Sequence, residues 1–138
     1  MANARPSARI FLSVKDEYLK GADTMKILLV DDNARMRRLI KSMIGNIADE
    51  IHEASNAIEA VALYREVSPD WVLMDVSMKP KDGLEAAAEI KSVDSEAKIV
   101  FVSNHTDRRT REAAHNAGGR EFFGKDDLLS LIEFLRNV

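Results

Sequence analysis

From Lys26 onward the hydrophobic pattern changes period repeatedly, from short apolar runs to apolar residues spaced three and four apart, and back again. Ile27-Leu28-Leu29-Val30 has the length and continuity of a strand buried on both faces, and Met36, Leu39, Ile40, Met43, Ile44 and Ile47 then fall on one side of a helix. Glu50–Ala54 reads as a second, more polar strand. Ile58, Val61, Ala62 and Tyr64 give the next helix its inner face, and Ser68-Pro69 ends it. Trp71–Asp75 is a third strand that stops on a carboxylate and breaks into a Lys/Pro/Gly loop ending at Gly83.

Leu84, Ala87, Ala88 and Ile90 mark a third helix, and residues 98–102 form a fourth strand rich in β-branched side chains. A helix over about 107–117 offers only Ala113, Ala114 and Ala117 as apolar anchors, so weak packing is expected there. Gly118-Gly119 then caps it, residues 120–123 make a fifth strand, and 126–137 a last helix. That helix turns Leu128, Leu131, Ile132 and Leu135 inward and leaves Leu129 and Phe134 off the stripe. Five successive strand–helix units predict an α/β fold with a parallel sheet, and right-handed crossovers place helices on both of its faces, a doubly wound architecture.

Composition narrows the class without naming a chemistry. The 138 residues are about one domain's worth of chain, and 46% hydrophobic with 31% charged residues is ordinary for a globular protein. With no Cys there is no disulfide framework or thiolate metal site, which suits a reducing compartment such as the cytoplasm. A formal charge of −3 gives no general pull toward nucleic acid or an anionic membrane, and no apolar stretch approaches the length of a spanning helix. Residues 1–24 carry Arg5 and Arg9, the brief apolar run Ile10-Phe11-Leu12, then Asp16 and Glu17. They are too short in apolar length for a signal peptide and read as an extension, mobile or a short surface helix. The domain itself is expected over 25–138, with no output domain after the fifth helix.

A parallel sheet brings the carboxyl ends of its strands to one edge, where ligands bind. The residues there are Asp31-Asp32 after strand 1, Asp75 on strand 3, Ser103 after strand 4 and Lys125 just beyond strand 5. Each has an ordinary alternative. Asp31 or Asp32 could cap the first helix, Ser103 could cap the fourth, Asp75 could simply end a strand, and Lys125 could be a solvated charge. Together they read as a site of three carboxylates, a hydroxyl and an ammonium.

The sequence resembles the response-regulator receiver family, the phospho-acceptor domains of two-component signalling. The resemblance rests on Leu29-Val30-Asp31-Asp32 with Met36-Arg37-Arg38, on Leu73-Met74-Asp75 with Met78 and Asp82-Gly83, on Val102-Ser103, and on Phe122-Phe123-Gly124-Lys125. It implies a flavodoxin-like strand order, 2-1-3-4-5. It further implies that Asp75 accepts the phosphoryl group, that Asp31, Asp32, Asp75 and the Ser77 carbonyl hold Mg²⁺, and that Ser103 and Lys125 contact the phosphoryl oxygens. Phe122 takes the family's aromatic switch position, and Ser77, Asn104 and His105 lie where side chains tune phosphoryl lifetime.

The same resemblance implies a histidine kinase or phosphotransfer protein as donor, and a downstream protein target met by the face of helix 4, strand 5 and helix 5, which is also a possible homodimer surface. Catalysis would be confined to the protein's own phosphorylation and dephosphorylation. Two departures stand out: Pro80 follows Lys79 rather than Met78, and Asp126 replaces a frequent proline, so a cis bond before it is not expected and Asp126 becomes a candidate cap.

These residue types suit the chemistry. A carboxylate can form an acyl phosphate with a donor held in line, and a hard divalent cation relieves the repulsion of clustered carboxylates. A serine hydroxyl that bonds the phosphoryl group exists as a contact in one state alone, which is what shifts a two-state equilibrium. The competing reading is a Mg²⁺-dependent phosphohydrolase with an Asp nucleophile. Enzymes of the haloacid dehalogenase type place a second Asp two residues after the nucleophile, where this chain has Ser77. Direct nucleic-acid binding through Arg35, Arg37 and Arg38 or Arg108, Arg109 and Arg111 is disfavoured, because these read as exposed helix faces without a recognition module.

Overall fold

Trp71–Asp75 becomes β3, buried at all five positions and central in the sheet. The computed structural model describes residues 24–138, so the expected N-terminal extension lies, apart from Thr24, outside the described residues. Around β3, the strands β1 (Lys26–Val30), β2 (Glu50–Ala54), β4 (Ile99–Ser103) and β5 (Gly119–Gly124) pair in parallel in the order β2-β1-β3-β4-β5. The helices are α1 (Ala34–Ile44), α2 (Ala57–Val67), α3 (Gly83–Val93), α4 (Arg108–Asn116) and α5 (Leu128–Arg136).

Alternation along the strands builds two cores. Ile27, Leu29, Leu73 and Val100 point to the side of α1 and α5, where Ile40, Ile44, Leu131 and Leu135 meet them. Leu28, Val30, Val72, Met74 and Phe101 point to the opposite side, against Ala60, Tyr64, Ala87, Ile90 and Ala114. The doubly wound arrangement is therefore the predicted one, strand order included.

Several local expectations are corrected. In α2 the inward residues are Ala57, Ala60 and Tyr64, whereas Ile58 is 65% exposed and Ala62 also faces out. Small alanines let α2 approach the sheet closely, so the large Ile58 misleads about the phase of the helix. For the same reason Ala86 rather than Ala88 is buried in α3; in α1, Leu39 is exposed and Ile40 and Ile44 face inward. Phe134, off the inward stripe of α5, still packs inward: its ring lies edge-on against Trp71 at 5.3 Å between centroids and contacts Phe123. Leu129 does remain exposed.

Gly118 has φ +95° just after α4, the left-handed conformation that ends helices, but Gly119 already belongs to β5. A Cβ on Gly119 would lie 2.7 Å from the Phe101 ring, so glycine there serves packing rather than capping. As expected, α4 buries just one residue, Ala114. The cis peptide among the described residues is Lys79–Pro80, in the loop where the sequence departs from the family it resembles.

The helix caps bear directly on the site. They are Asn33 for α1, Asn56 for α2, Asp82 for α3, Asp107 for α4 and Asp127 for α5. Asp31, Asp32 and Ser103 thus have no capping duty, and Asp126 yields that role to its neighbour.

Candidate functional site

Sheet register sets the site. Val30 ends β1 level with Met74 and Ala54, so Asp31 emerges beside Asp75, the last residue of β3. Across β4 and β5, Ser103 lies opposite Gly124, and the Lys125 N–H donates to the Ser103 carbonyl at 2.8 Å, which carries the Lys125 side chain back over the strand ends. One carboxylate oxygen from each of Asp31, Asp32 and Asp75 falls within 4.8 Å of the others. The Lys125 ammonium bridges two of them, 2.9 Å from Asp31 Oδ2 and 3.2 Å from Asp75 Oδ1.

Asp31, Asp75 and the Lys125 side chain are nearly inaccessible, whereas Asp32 is exposed, so the cluster has a closed floor and one open side. Burial pushes the Asp75 carboxyl up and repulsion from Asp31 adds to it; Lys125 opposes both, Asp32 adds a smaller push, and the result is about 6. For Lys125, burial acts downward, but the hydrogen bond to Asp31 and the charge of Asp75 outweigh it, and its ammonium is held above the usual lysine range. Three carboxylates against one ammonium leave two negative charges in excess, within reach of solvent through Asp32.

Asp31 is fixed from every side. Its N–H donates to the Ala54 carbonyl at 3.1 Å, its Oδ1 accepts from the Asn33 N–H at 2.8 Å, and its carbonyl accepts from the Arg37 guanidinium at 2.7 Å. Asp75 is supported by Gly83. A Cβ at residue 83 would stand 1.9 Å from the Asp75 carbonyl oxygen, and the Gly83 N–H donates to the Val76 carbonyl at 2.8 Å. The loop from Val76 to Asp82 therefore closes directly behind Asp75, and a capping box between Asp82 and Glu85 fixes its exit into α3.

Ser103 is fully buried, and its Oγ accepts from the His105 N–H at 3.0 Å, which leaves the hydroxyl proton available as a donor. Ser77, Asn104 and His105 are exposed on the loops that follow β3 and β4. Phe122, three residues before Lys125, is half-buried against the α2–α4 side of the core with the Arg111 guanidinium 4.9 Å from its ring centre. All the strand-end residues singled out by sequence converge. Those that sequence reasoning left without a role here are Asn33, Arg37 and Gly83. Arg37 and Gly83 stood in the motifs Met36-Arg37-Arg38 and Asp82-Gly83, but without a structural role.

The family model described as the response regulator receiver domain matches residues 27–135. The chemotaxis protein CheY of Bacillus subtilis is 40% identical over 101 residues, covering 72% of this chain and 84% of that protein. CheY of Halobacterium salinarum is 36% identical over 100 residues, 72% of this chain and 83% of its own. Among solved structures, a LuxR-family two-component response regulator from an Aurantimonas species superposes with a TM-score of 0.73 at 30% identity, covering 83% of this chain and 86% of that one. The receiver domain of the Arabidopsis thaliana histidine kinase CKI1, solved with Mg²⁺, superposes with a TM-score of 0.72 at 25% identity over 82% and 90%. No helix among the described residues is long and apolar enough to cross a membrane.

Proposed function

The chain belongs to the response-regulator receiver family, and on that footing we propose that it is a phosphorylation-dependent switch in which Asp75 is the phospho-acceptor. The carrying observation is a buried carboxylate at a strand end that caps no helix, faces Lys125 at 3.2 Å and shares its edge with two further carboxylates.

A hard divalent cation fits this donor set. The three carboxylates supply oxygen ligands, two of them are held in place by Lys125, and the exposed side at Asp32 leaves room for waters, as Mg²⁺ prefers. When bound, Mg²⁺ supplies positive charge that offsets the carboxylates and the arriving phosphoryl oxygens. Asp31 and Asp32 hold it together with Asp75, with the Ser77 carbonyl as a further oxygen. The CKI1 receiver solved with Mg²⁺ supports that identity.

In the transfer itself a carboxylate oxygen of Asp75 forms the new P–O bond while the bond from phosphorus to the donor breaks and the donor leaves with its electron pair. The Lys125 ammonium then pairs with a phosphoryl oxygen, and the Ser103 hydroxyl donates its free proton to another. That second bond is absent before phosphorylation, so it biases the 103–107 segment and, through it, Phe122 and the face of α4, β5 and α5. The donor is a histidine kinase or phosphotransfer protein, and the readout is a protein partner or a second copy at that face, all consistent with a cytoplasmic setting. Ser77 in place of a second Asp leaves no general acid for hydrolytic turnover of other substrates.

Incubation with a small phosphodonor and Mg²⁺ tests the reading by intact mass. The wild type gains one phosphoryl group and Asp75→Asn gains none. A wild type that stays unmodified, or an Asp75→Asn variant that still becomes modified, overturns it.

A further inference from the structure

Arg37 lies on the first helix rather than at the strand ends, yet it makes a contact that reaches the acidic cluster. One guanidinium nitrogen donates to the Asp31 carbonyl at 2.7 Å, and Nε donates to Glu53 Oε1 on β2 at 2.9 Å. The other oxygen of Glu53 accepts from Lys41 Nζ, one turn further along α1, at 2.8 Å. Arg37 and Lys41 together hold the Glu53 carboxyl below the usual range, with the Lys41 bond the larger cause, so Glu53 stays charged and anchors the fork. Asp31 has just left β1, whose ladder ends at Val30, so its carbonyl sits where the sheet stops supplying partners.

We propose that the Arg37–Glu53 pair is a positioning device for the cation site: by clamping the Asp31 main chain to β2, it sets the direction in which the Asp31 carboxylate faces Asp32 and Asp75. The proposal rests on the reading of that cluster as a divalent-cation site. Its physical basis is that Asp31 has three other tethers, to Ala54, Asn33 and Lys125, and none of them holds the carbonyl. Without Arg37, the Asp31 carbonyl loses the hydrogen bond that holds it, and the orientation of the peptide linking Asp31 to Asp32 is left to the Asn33 N–H bond to the Asp31 carboxylate. Both ligands hang from that peptide, so one lost bond misdirects two carboxylates.

Coulomb's law alone predicts the opposite sign for removing this residue. Arg37 is a cation close to a cation site, so deleting its charge should tighten Mg²⁺ binding. Positioning predicts that it weakens, by about tenfold or more, as is typical when a partner that orients a metal ligand is lost. The two accounts therefore diverge on direction and not merely on size.

The test is calorimetric titration of the full-length protein with Mg²⁺ alone, comparing wild type, Arg37→Met, Arg37→Lys and Glu53→Gln, each first checked for a cooperative thermal transition. Arg37→Met and Arg37→Lys should both weaken binding about tenfold, since lysine keeps the charge but cannot span Asp31 and Glu53 at once. Glu53→Gln, at an exposed position that leaves the fold intact, should weaken it less but in the same direction. Unchanged or tighter binding by Arg37→Met, or full binding by Arg37→Lys, overturns the positioning role. If the wild type takes up no Mg²⁺, the reading of the cluster as a cation site fails instead.

Discussion

Replacing Asp75 by Asn keeps the outline of the side chain and removes one of three crowded carboxylates. The Asp75 carboxyl is raised from its usual 3.8 to about 6, so its charged form is less welcome in the fold than in the unfolded chain. At about 1.4 kcal/mol per unit, a rise of roughly two units puts a ceiling of about 3 kcal/mol on the destabilisation caused by its charge. Relaxation and solvent near Asp32 reduce this, and about 1–3 kcal/mol is expected.

The sign follows from linkage: Asp75 is protonated in both states below about 4 and ionised in both well above 6, so stability present in acid is lost as pH rises through that window. Lys125 retains Asp31 at 2.9 Å when Asp75 becomes neutral, so the substitution strands no buried cation. Urea unfolding in the presence of a chelator, followed by fluorescence of the buried Trp71, should show Asp75→Asn more stable than wild type by about 1–3 kcal/mol at pH 8. The difference should shrink near pH 6 and vanish below pH 4. An Asn variant no more stable than wild type at pH 8, or one with the same difference at every pH, would refute the reasoning.

Gly83→Ala should be among the most damaging small substitutions, because its Cβ would overlap the Asp75 carbonyl oxygen; a loss of about 2–4 kcal/mol is expected in the same urea assay. Tyr64→Phe removes a 2.6 Å hydrogen bond from a buried hydroxyl to the Asp94 carboxylate and should destabilise by about 1–3 kcal/mol. Leu131→Ala, at a fully buried position of α5 facing the sheet, should lose about 2–5 kcal/mol, whereas Ile58→Ala should stay within about 0.5 kcal/mol, and the Ile58→Ala midpoint checks the phase assigned to α2. Millimolar Mg²⁺ should raise the melting temperature of the wild type in a concentration-dependent way by mass action, and Asp32→Asn should reduce that rise without lowering stability in its absence.

The inner strands were legible because they are buried on both faces, which makes Ile27 to Val30 and Trp71 to Met74 unbroken apolar runs. The strand-end residues were legible for the same reason: once the strands are located, parallel topology dictates that Asp31, Asp75, Ser103 and Lys125 share an edge. Helix phase was less legible where alanine does the packing. Ala57, Ala60 and Ala86 carry little hydrophobic weight in a pattern, yet they decide which face meets the sheet. Phe134 was misplaced because it sits one step off the leucine stripe and reaches Trp71 with a long side chain, a contact that depends on tertiary distance. Arg37 and Gly83 stood in the motifs, but their roles were not legible, since these are made by backbone atoms of other segments, the Asp31 carbonyl and the Asp75 carbonyl, which have no signature in side-chain sequence.

The helix caps remove the ordinary structural explanation of the acidic edge and so support the proposed function. An aspartate after a strand most often stabilises the next helix, but here α1 is capped by Asn33, one residue past Asp32, and α3, α4 and α5 by Asp82, Asp107 and Asp127. Asp31, Asp32 and Asp75 therefore add repulsion at the strand ends without satisfying any helix terminus, and Lys125 neutralises just part of it. A chain selected for stability alone would replace at least one of them, since an amide at Asp75 keeps the shape and loses the charge. Three carboxylates against one ammonium instead suit the divalent cation of the proposed function, whose charge would offset both them and the arriving phosphoryl oxygens, and the fold tolerates the local cost because its two cores lie on either side of the sheet.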